Sequence, residues 1–398
     1  ATTSAAVGNA SFSRLAAYGI GTSLPDTRAT GADDPEVHRH RPSEHAKPGL
    51  RVALFHTTLP QRGRKIGGVE MAVHRLANAL VQHQHLDVTV FSCDQTPPDA
   101  RYHHVTLFRR MGLGTKLKRL TLLPLMLNVV DFSGFDVLHL HGDDWFFVKR
   151  GLPTVRTLHG SALFEARAAA SFKRRALQYA VYPLEHVSSR LASYSAAIGT
   201  QTRAVYRADG ITDNGVDTSF FRPAETKSEH PLLFYIGTWA GRKRGKFAYE
   251  TFLRDVLPVM PTARLYMACD HVPEHESVID GGFPDDEVLA DWLRRAWVFF
   301  YPSPYEGFGI PYIEALSSGT AVVTTRNEGA DYVLERGDYG LICDDASFGA
   351  STLRLLGDAD LRRRLEAAGR SRAMWFSWEA VAARHADMYR GAIARWRR

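Results

Sequence analysis

Cysteine is scarce in this chain: Cys93, Cys269 and Cys343 lie far apart and show no metal-ligand spacing. Each follows a short apolar run, where a half-buried free thiol is expected, and this favours a reducing, cytoplasmic setting. Long apolar runs are also missing. None approaches the ~18 residues that a membrane-spanning helix needs, so no span is expected. The N-terminal residues lack the basic, apolar and small-residue order of a secretion signal. No internal repeat stands out, and no nucleic-acid-binding signature is present, so no nucleic acid partner is expected.

What is present describes a globular chain of 398 residues, 45% hydrophobic and 23% charged. That length exceeds one ordinary core and argues for two domains. The formal charge of +6 suits anionic substrates, a lipid surface or nucleic acid, and by itself selects none of them. An Arg- and Ala-rich genome composition produces the same value.

Residues 1–48 are rich in Ala, Ser, Thr, Gly, Pro and charge and end in "HRHRPSEHAKPG". They read as a disordered leader, with a short helix near Phe12 to Tyr18. Ordered structure is expected from "LRVALFHTT" onward. Strand-length runs follow: "RVALFH", "DVTVFS", "DVLHLH", "PTVRTLH" and "SAAIGT", then "LLFYIG", "ARLYMA", "WVFFYPS", "AVVTT" and "GLIC". Helical patterns such as "VEMAVHRLANALVQH" alternate with them. This alternation predicts an α/β fold of doubly wound parallel sheets, and the strands are too many for one sheet. The seam is expected at "DNGVDTSFFRPAETKSEHP", which is polar, carries Pro223 and Pro231 and breaks both periodicities. The expected domains are 49–220 and 221–376. Residues 377–398 form a separate amphipathic helix with Ser377 as N-cap, and its face of Trp378, Val381, Ala382, Met388 and Ile393 must pack on a domain.

The segment "YEGFGIPYIEA" places Glu306 on the loop after the "WVFFYPS" strand and Glu314 about one turn into a helix. Pro311 suits that helix's first turn, where its missing amide costs nothing. Backbone amides from Gly307, Phe308, Gly309 and Ile310 then lie at a helix N-terminus, which favours an anion. Carboxylates on either side would accept hydrogen bonds from hydroxyls attached to that anion. The plain alternative is a corner whose glutamates only cap a helix.

The stretch "SPYEGFGIPYIEALSSGTAVVTT" resembles the hallmark of glycosyltransferase family 4 and its relatives, retaining nucleotide-sugar-dependent enzymes of the two-Rossmann-domain GT-B fold. Glu306 and Glu314 meet the family's Glu, seven residues, Glu spacing, and the likeness extends over most of residues 50 to 390. The resemblance implies that Glu306 contacts the transferred sugar and Glu314 the nucleotide ribose. It implies two Rossmann-like domains facing across a deep cleft, the first on the acceptor side and the second binding the nucleotide sugar. The terminal helix is then expected to cross back to the first domain.

Other segments fit the same resemblance. "LPQRGRKIGGVEMAVHRLANAL" looks like the family's N-terminal loop near the donor diphosphate, through Gly67 and Gly68; Glu70 would in any case favour a helix N-terminus by its charge. "YIGTWAGRKRG" carries Gly237 and a basic run, where the family has a basic pair that neutralises the departing diphosphate. Arg242 and Lys243 are the chosen pair, with Arg244 a candidate through a one-residue shift. Thr238 departs from the Arg common in relatives. "DVLHLHGDDWFF" offers His141, matched to a family His near the anomeric carbon, and "TLHGS" offers His159 as a cleft-lining candidate. Residues around Phe283 are expected near the base. Asp143 and Asp144 form an acidic pair without further ligands, and the resemblance is to enzymes that need no metal and no other cofactor.

The expected function is therefore retaining transfer from a nucleoside-diphosphate sugar to an acceptor hydroxyl. Two rivals are a nucleotide-sugar 2-epimerase of the same architecture, which would need no acceptor, and a non-catalytic nucleotide-sugar-binding subunit. The Leu107–Val130 stretch, with five Lys or Arg, many leucines and no acid, suggests peripheral contact with an anionic membrane.

Overall fold

The computed structural model describes residues 49–61, 67–108, 116–149, 151–169 and 171–397. The leader 1–48 with its expected short helix lies outside the described residues. The first sheet contains β1 (Arg51–Phe55), β2 (Asp87–Ser92), β3 (His103–Thr106), β4 (Val137–Leu140), β5 (Thr154–Leu158), β6 (Tyr194–Ala197) and β7 (Gly210–Ile211). The second contains β8 (Leu232–Ile236), β9 (Arg264–Ala268), β10 (Val278–Asp280), β11 (Val298–Tyr301), β12 (Ala321–Thr325) and β13 (Leu341–Cys343). Every strand pairing is parallel.

The orders are β3-β2-β1-β4-β5-β6-β7 and β10-β9-β8-β11-β12-β13. Each order reverses direction once, between β1 and β4 in the first sheet and between β8 and β11 in the second. In open parallel sheets the crevice at such a reversal, beyond the carboxyl ends of the strands, is where ligands bind. His56 and His141 follow β1 and β4. The Gly237 and Glu306 loops follow β8 and β11. Both sheets thus direct their candidate chemistry to the same kind of place.

The inner strands β4, β5, β8, β11 and β12 are buried along their whole length, as parallel strands covered on both faces must be. β3, β7 and β10, which no strong apolar run announces, are short edge strands whose residues are mostly exposed or half-buried. Pairing with a neighbour, rather than their own pattern, makes them strands.

The terminal helix, Trp378–Trp396, starts with the Ser377 side chain accepting the Ala380 amide at 3.2 Å. It packs on the first domain: Val381, Ala382, Ala386, Tyr389 and Ala392 share one core with Leu76, Ala77 and Leu80 of the Gly68–Gln84 helix. The segment between the sheets is tied to its root, because the Val216 amide donates to the Phe376 carbonyl at 2.8 Å and Val216 bridges Ser377. Among the described residues no helix is long and apolar enough to cross a membrane.

Candidate active site

Glu306 lies on the loop between β11 and the Ile310–Ser317 helix and is only 5% exposed. A lone buried carboxylate would be costly. Here its Oε1 accepts from Lys243 Nζ at 2.5 Å, Ser303 Oγ at 2.6 Å and the Tyr301 hydroxyl at 3.0 Å. Arg242 reaches Oε2 at 3.2 Å. Burial alone would raise the Glu306 carboxyl, but Lys243 and then Arg242 outweigh it and hold the group below its ordinary value. Burial pushes Lys243 down to about 8, with Glu306 opposing and Arg242 adding to the fall. Near neutral pH the pair is ionised.

The rest of the loop is shaped for close approach. Gly309 caps the helix at φ +90°, and a Cβ there would strike the Tyr312 ring. A Cβ on Gly307 would meet nothing within 4 Å, so its backbone faces open space. The amides of Gly307, Phe308 and Gly309 find no backbone acceptor among the described residues. Phe308 itself is buried against Phe376 and Tyr332, so it offers the site only its backbone. Ile310 is likewise partly buried against the core.

Glu314 is 7% exposed, away from the ion pairs that hold Glu306. Burial pushes it up to about 8, with Asp286 adding to the rise and Arg75 and Lys243 opposing it. A carboxyl so poised becomes a strong acceptor once hydroxyl donors cover it.

The basic loop resolves into two directions. Arg242 and Lys243 turn inward to Glu306, and Arg242 also donates to the Tyr305 carbonyl at 2.8 Å. Arg244, the one-residue-shift candidate, turns away. At φ +59° it caps the Gly245–Thr251 helix and forks onto Asp345 with two 2.7 Å bonds. Gly237 is required by packing, since a Cβ there would lie 2.7 Å from Lys243 Cβ and overlap the Tyr235 hydroxyl. Phe283, expected near the base, is 66% exposed beyond β10, and no contact joins it to Glu306.

On the first domain, Gly67 leads into the Gly68–Gln84 helix, its amide donating to Glu70 Oε2 at 3.1 Å. A Cβ on Gly68 would meet nothing within 4 Å. His141 is 4% exposed, with Nδ1 2.9 Å from His159 Nε2, whereas His159 is only partly buried. Of the two, His159 is the more exposed. Asp143 accepts from Thr57 Oγ1 at 2.6 Å, and buried Asp144 pairs with Arg156 and Ser188. These are structural partners. Among the described residues no three His, Cys, Asp or Glu are grouped to hold a metal.

The domains meet beside the Glu306 loop. Glu328, at the start of the Glu328–Val333 helix, accepts from the Gln201 amide and from Thr200 Oγ1 at 3.3 Å, both on the first domain. Gly199 lies under Gly307, where a Cβ would come 2.7 Å from the Gly307 carbonyl. The Tyr332 hydroxyl donates to Asp213 at 2.6 Å, which also receives Arg384 at 2.8 Å. Sequence reasoning missed Tyr301, Ser303, Asn327, Glu328 and Tyr332; only Ser303 and Asn327, beside recognisable motifs, left a local signal.

Two facing parallel sheets, with a clamped carboxylate at a helix N-terminus in the cleft between them, define a GT-B glycosyltransferase. The family described as Glycosyl transferases group 1 matches residues 274–372, and Glycosyltransferase Family 4 matches residues 66–220. The chain is 26% identical over 370 residues to the GDP-mannose:cellobiosyl-diphosphopolyprenol alpha-mannosyltransferase of Xanthomonas oryzae pv. oryzae, covering 82% of this chain and 94% of that one. It is 29% identical over 279 residues to the MMP alpha-(1->4)-mannosyltransferase of Mycolicibacterium hassiacum, covering 62% and 67%. In fold it is similar to sucrose-phosphate synthase from Thermosynechococcus elongatus, with a TM-score of 0.65 at 20% identity over 87% of this chain and 99% of that one. Anabaena HepE, solved with UDP and glucose, gives a TM-score of 0.64 at 13% identity over 85% and 99%. The chain belongs to glycosyltransferase family 4, within the group 1 glycosyltransferases, and is a nucleotide-sugar glycosyltransferase.

Proposed function

We propose that this glycosyltransferase moves a hexosyl or related group from a nucleoside-diphosphate sugar to an acceptor hydroxyl with retention of anomeric configuration and without a metal. The observation that carries the reading is the buried Glu306 carboxylate held between Lys243 and Arg242 at the N-terminus of the Ile310–Ser317 helix. When the donor enters, its diphosphate takes Arg242, Lys243 and the Gly307–Gly309 amides as partners. Glu306 is then released to accept from sugar hydroxyls, and Glu314 from those of the ribose. As the glycosidic bond breaks, negative charge grows on the diphosphate, where these fixed donors already point. In many enzymes such preorganised stabilisation lowers the barrier more than any other effect. The departing phosphate takes the acceptor proton on the same face of the sugar, which retains configuration.

The named activities of the relatives put GDP-mannose first in a thermal-shift screen against UDP-, dTDP- and ADP-sugars. With the stabilising donor and an acceptor, proton NMR of the product is expected to show the donor's anomeric configuration, and turnover is expected to survive EDTA. An inverted product, or activity lost to EDTA and restored by Mn²⁺, would overturn the reading.

We also place the protein in a reducing, cytoplasmic compartment, in keeping with three free cysteines among the described residues. Peripheral membrane contact through residues 107–130 is a second, separable proposal. Residues 109–115 lie outside the described residues, but Leu125 and Val129 beyond them are 54% and 78% exposed. Flotation with anionic liposomes tests it, and protein left at the bottom of the gradient would remove it.

A further inference from the structure

The buried strand β5 ends at Leu158, and the chain passes through Ser161 into the short Ala162–Ala168 helix. β6 runs parallel beside β5, so both release their loops at the same edge of the first sheet. At that edge the loop after β6 meets the second domain. Gly199 lies so close under the Glu306 loop that a Cβ on it would come 2.7 Å from the Gly307 carbonyl oxygen. Thr200 beside it donates to Glu328 at 3.3 Å. The Ala162–Ala168 helix therefore stands at the rim of the cleft, one strand along from this contact.

Packing fixes which part of that helix is free. Ala162 and Ala166 are buried, and the Ala162 amide donates to Glu185 Oε2 at 3.1 Å. Glu165, between them in sequence, stays half exposed and accepts from Arg174 Nη2 at 2.9 Å. Its charge reaches two groups of the second domain. Burial pushes the Tyr305 phenol up to about 12, and of the charges that add to the rise Glu165 comes first, ahead of Glu328 and Glu306. Glu306 is the very next residue in the chain, so a carboxylate that outweighs it stands close to the phenol. Burial lowers Arg242, while Glu306, Tyr301 and then Glu165 raise it above its ordinary value. Arg242 itself lies over the Tyr305 ring, 6.0 Å from its centre, with Nη1 3.2 Å from Glu306. An acid of the first domain thus faces the Arg242 and Tyr305 side of the donor site.

Retention with the departing phosphate as base puts the acceptor on the same side of the sugar as the leaving group. Arg242 marks that side, and Glu165 faces it from the other domain. We propose that Glu165 determines acceptor specificity: it accepts hydrogen bonds from hydroxyls beside the one that reacts, so the reacting end of the acceptor is a neutral polyol. Arg174 holds the carboxylate in place for this. An acceptor carrying phosphate or carboxylate at that end would set its charge against Glu165 and the donor diphosphate together, and such like-charge placement excludes wrong partners. The proposal rests on the retaining-transfer reading above.

The test offers the full chain its stabilising donor with two sets of acceptors, methyl hexosides and disaccharides against hexose 1- and 6-phosphates. Wild type is expected to use at least one neutral compound with kcat/KM more than about tenfold above every phosphate. Glu165→Gln keeps the size and loses the charge. It should raise the neutral acceptor's KM about tenfold with donor KM within about twofold of wild type, and narrow the gap to the phosphates. Glu165→Lys should reverse the order of the two sets. A wild type that prefers a phosphate overturns the proposal, and so does a Glu165→Lys enzyme with the wild-type order. Donor hydrolysed to free sugar with no neutral compound glycosylated overturns it as well. If Glu165→Lys fails to fold, the wild-type order and Glu165→Gln still decide. A protein that neither binds nor hydrolyses any nucleotide sugar fails the donor reading instead, which the hydrolysis control tells apart.

Discussion

The amide of Gly329 donates to the carbonyl of Glu306 at 2.8 Å, so the Glu306 loop hangs on the first turn of the Glu328–Val333 helix. The neighbours of Gly329 in that turn extend this hold. The Asn327 side chain donates to the Ser303 carbonyl and the Tyr312 hydroxyl, both at 2.7 Å, while Glu328 reaches across to the first domain. One short turn thus touches both the Glu306 loop and the opposing domain. A shift at the domain interface is therefore expected to carry the Glu306 loop with it.

Gly329→Ala tests this hold directly. A Cβ there would lie 2.7 Å from the Phe308 carbonyl oxygen and 3.0 Å from Glu306 Cβ, and the flanking backbone cannot step aside. The expected result is a loss of about 1–3 kcal/mol of stability from overpacking. A misplaced Glu306 should also lower kcat by about a hundredfold. Thermal denaturation and steady-state kinetics check the two parts, and a variant with wild-type kcat would refute the link.

Glu328→Ala acts on the other side of the turn. It leaves the Gln201 amide and Thr200 hydroxyl without their acceptor, at a cost of about 1–3 kcal/mol where water cannot replace it. Looser domains should appear as a larger radius of gyration in X-ray scattering and a higher donor KM. Tyr332→Phe, which removes the bond to Asp213, is expected to act in the same direction.

Glu306→Ala strands Lys243, a 5% exposed ammonium, without its counter-charge. Breaking a buried pair in this way costs about 3–5 kcal/mol. Transfer should fall by about two to three orders of magnitude. Nucleoside diphosphate binding should persist, because an anionic ligand restores a counter-charge to Lys243. Calorimetric titration with the nucleotide separates this outcome from simple unfolding.

Stability should fall with rising pH through Glu314. Its folded value is raised, from 4.5 to about 8, by burial first. Between those values the folded state holds a proton that the unfolded chain has released. The contribution is therefore whole below about 4.5 and lost as pH climbs through about 8. Glu314→Gln should gain stability relative to wild type between pH 5 and pH 9 in urea unfolding, and an equal difference at both would contradict the assignment.

The two arginines of the basic loop should separate cleanly. Arg242→Ala removes a cation from Glu306 and is expected to lower kcat/KM for the donor by about tenfold to a hundredfold. Arg244→Ala breaks a pair with a half-exposed Asp345, worth no more than about 1 kcal/mol, and a guanidinium contact 4.0 Å over the Phe247 ring, and should leave kcat/KM within about threefold of wild type. Comparable losses in both would mean that the loop rearranges when donor binds.

The fold was largely legible in the sequence because its inner strands are buried on both faces, and such strands read as unbroken apolar runs. β3, β7 and β10 escaped because edge strands take their form from a neighbour. Glu306 and Glu314 were legible through their spacing, and Arg242 and Lys243 through a charged run in a glycine loop. The sense in which that loop turns was not, so Arg244 could not be told from its neighbours. The deeper burial of His141 than of His159 was equally hidden, since burial at strand ends is set by what packs over them and not by the local pattern. Glu328 and Tyr332 act across the domain interface, where no short stretch of sequence carries a sign of the partner.

The terminal helix has a consequence for how the protein is made. The Gly68–Gln84 helix buries its apolar face against Val381, Ala382, Ala386 and Tyr389, which leave the ribosome only after the second domain. About 170 residues of second domain are synthesised between the end of the first sheet and this helix, roughly ten to thirty seconds at ordinary rates of translation. Throughout that interval the first domain carries an uncovered apolar strip, and His139 waits for the tyrosine that will hold it. A ribosome stalled within the second domain would therefore display a nascent first domain that chaperones can still grip, and emergence of the Trp378–Trp396 helix would end that exposure.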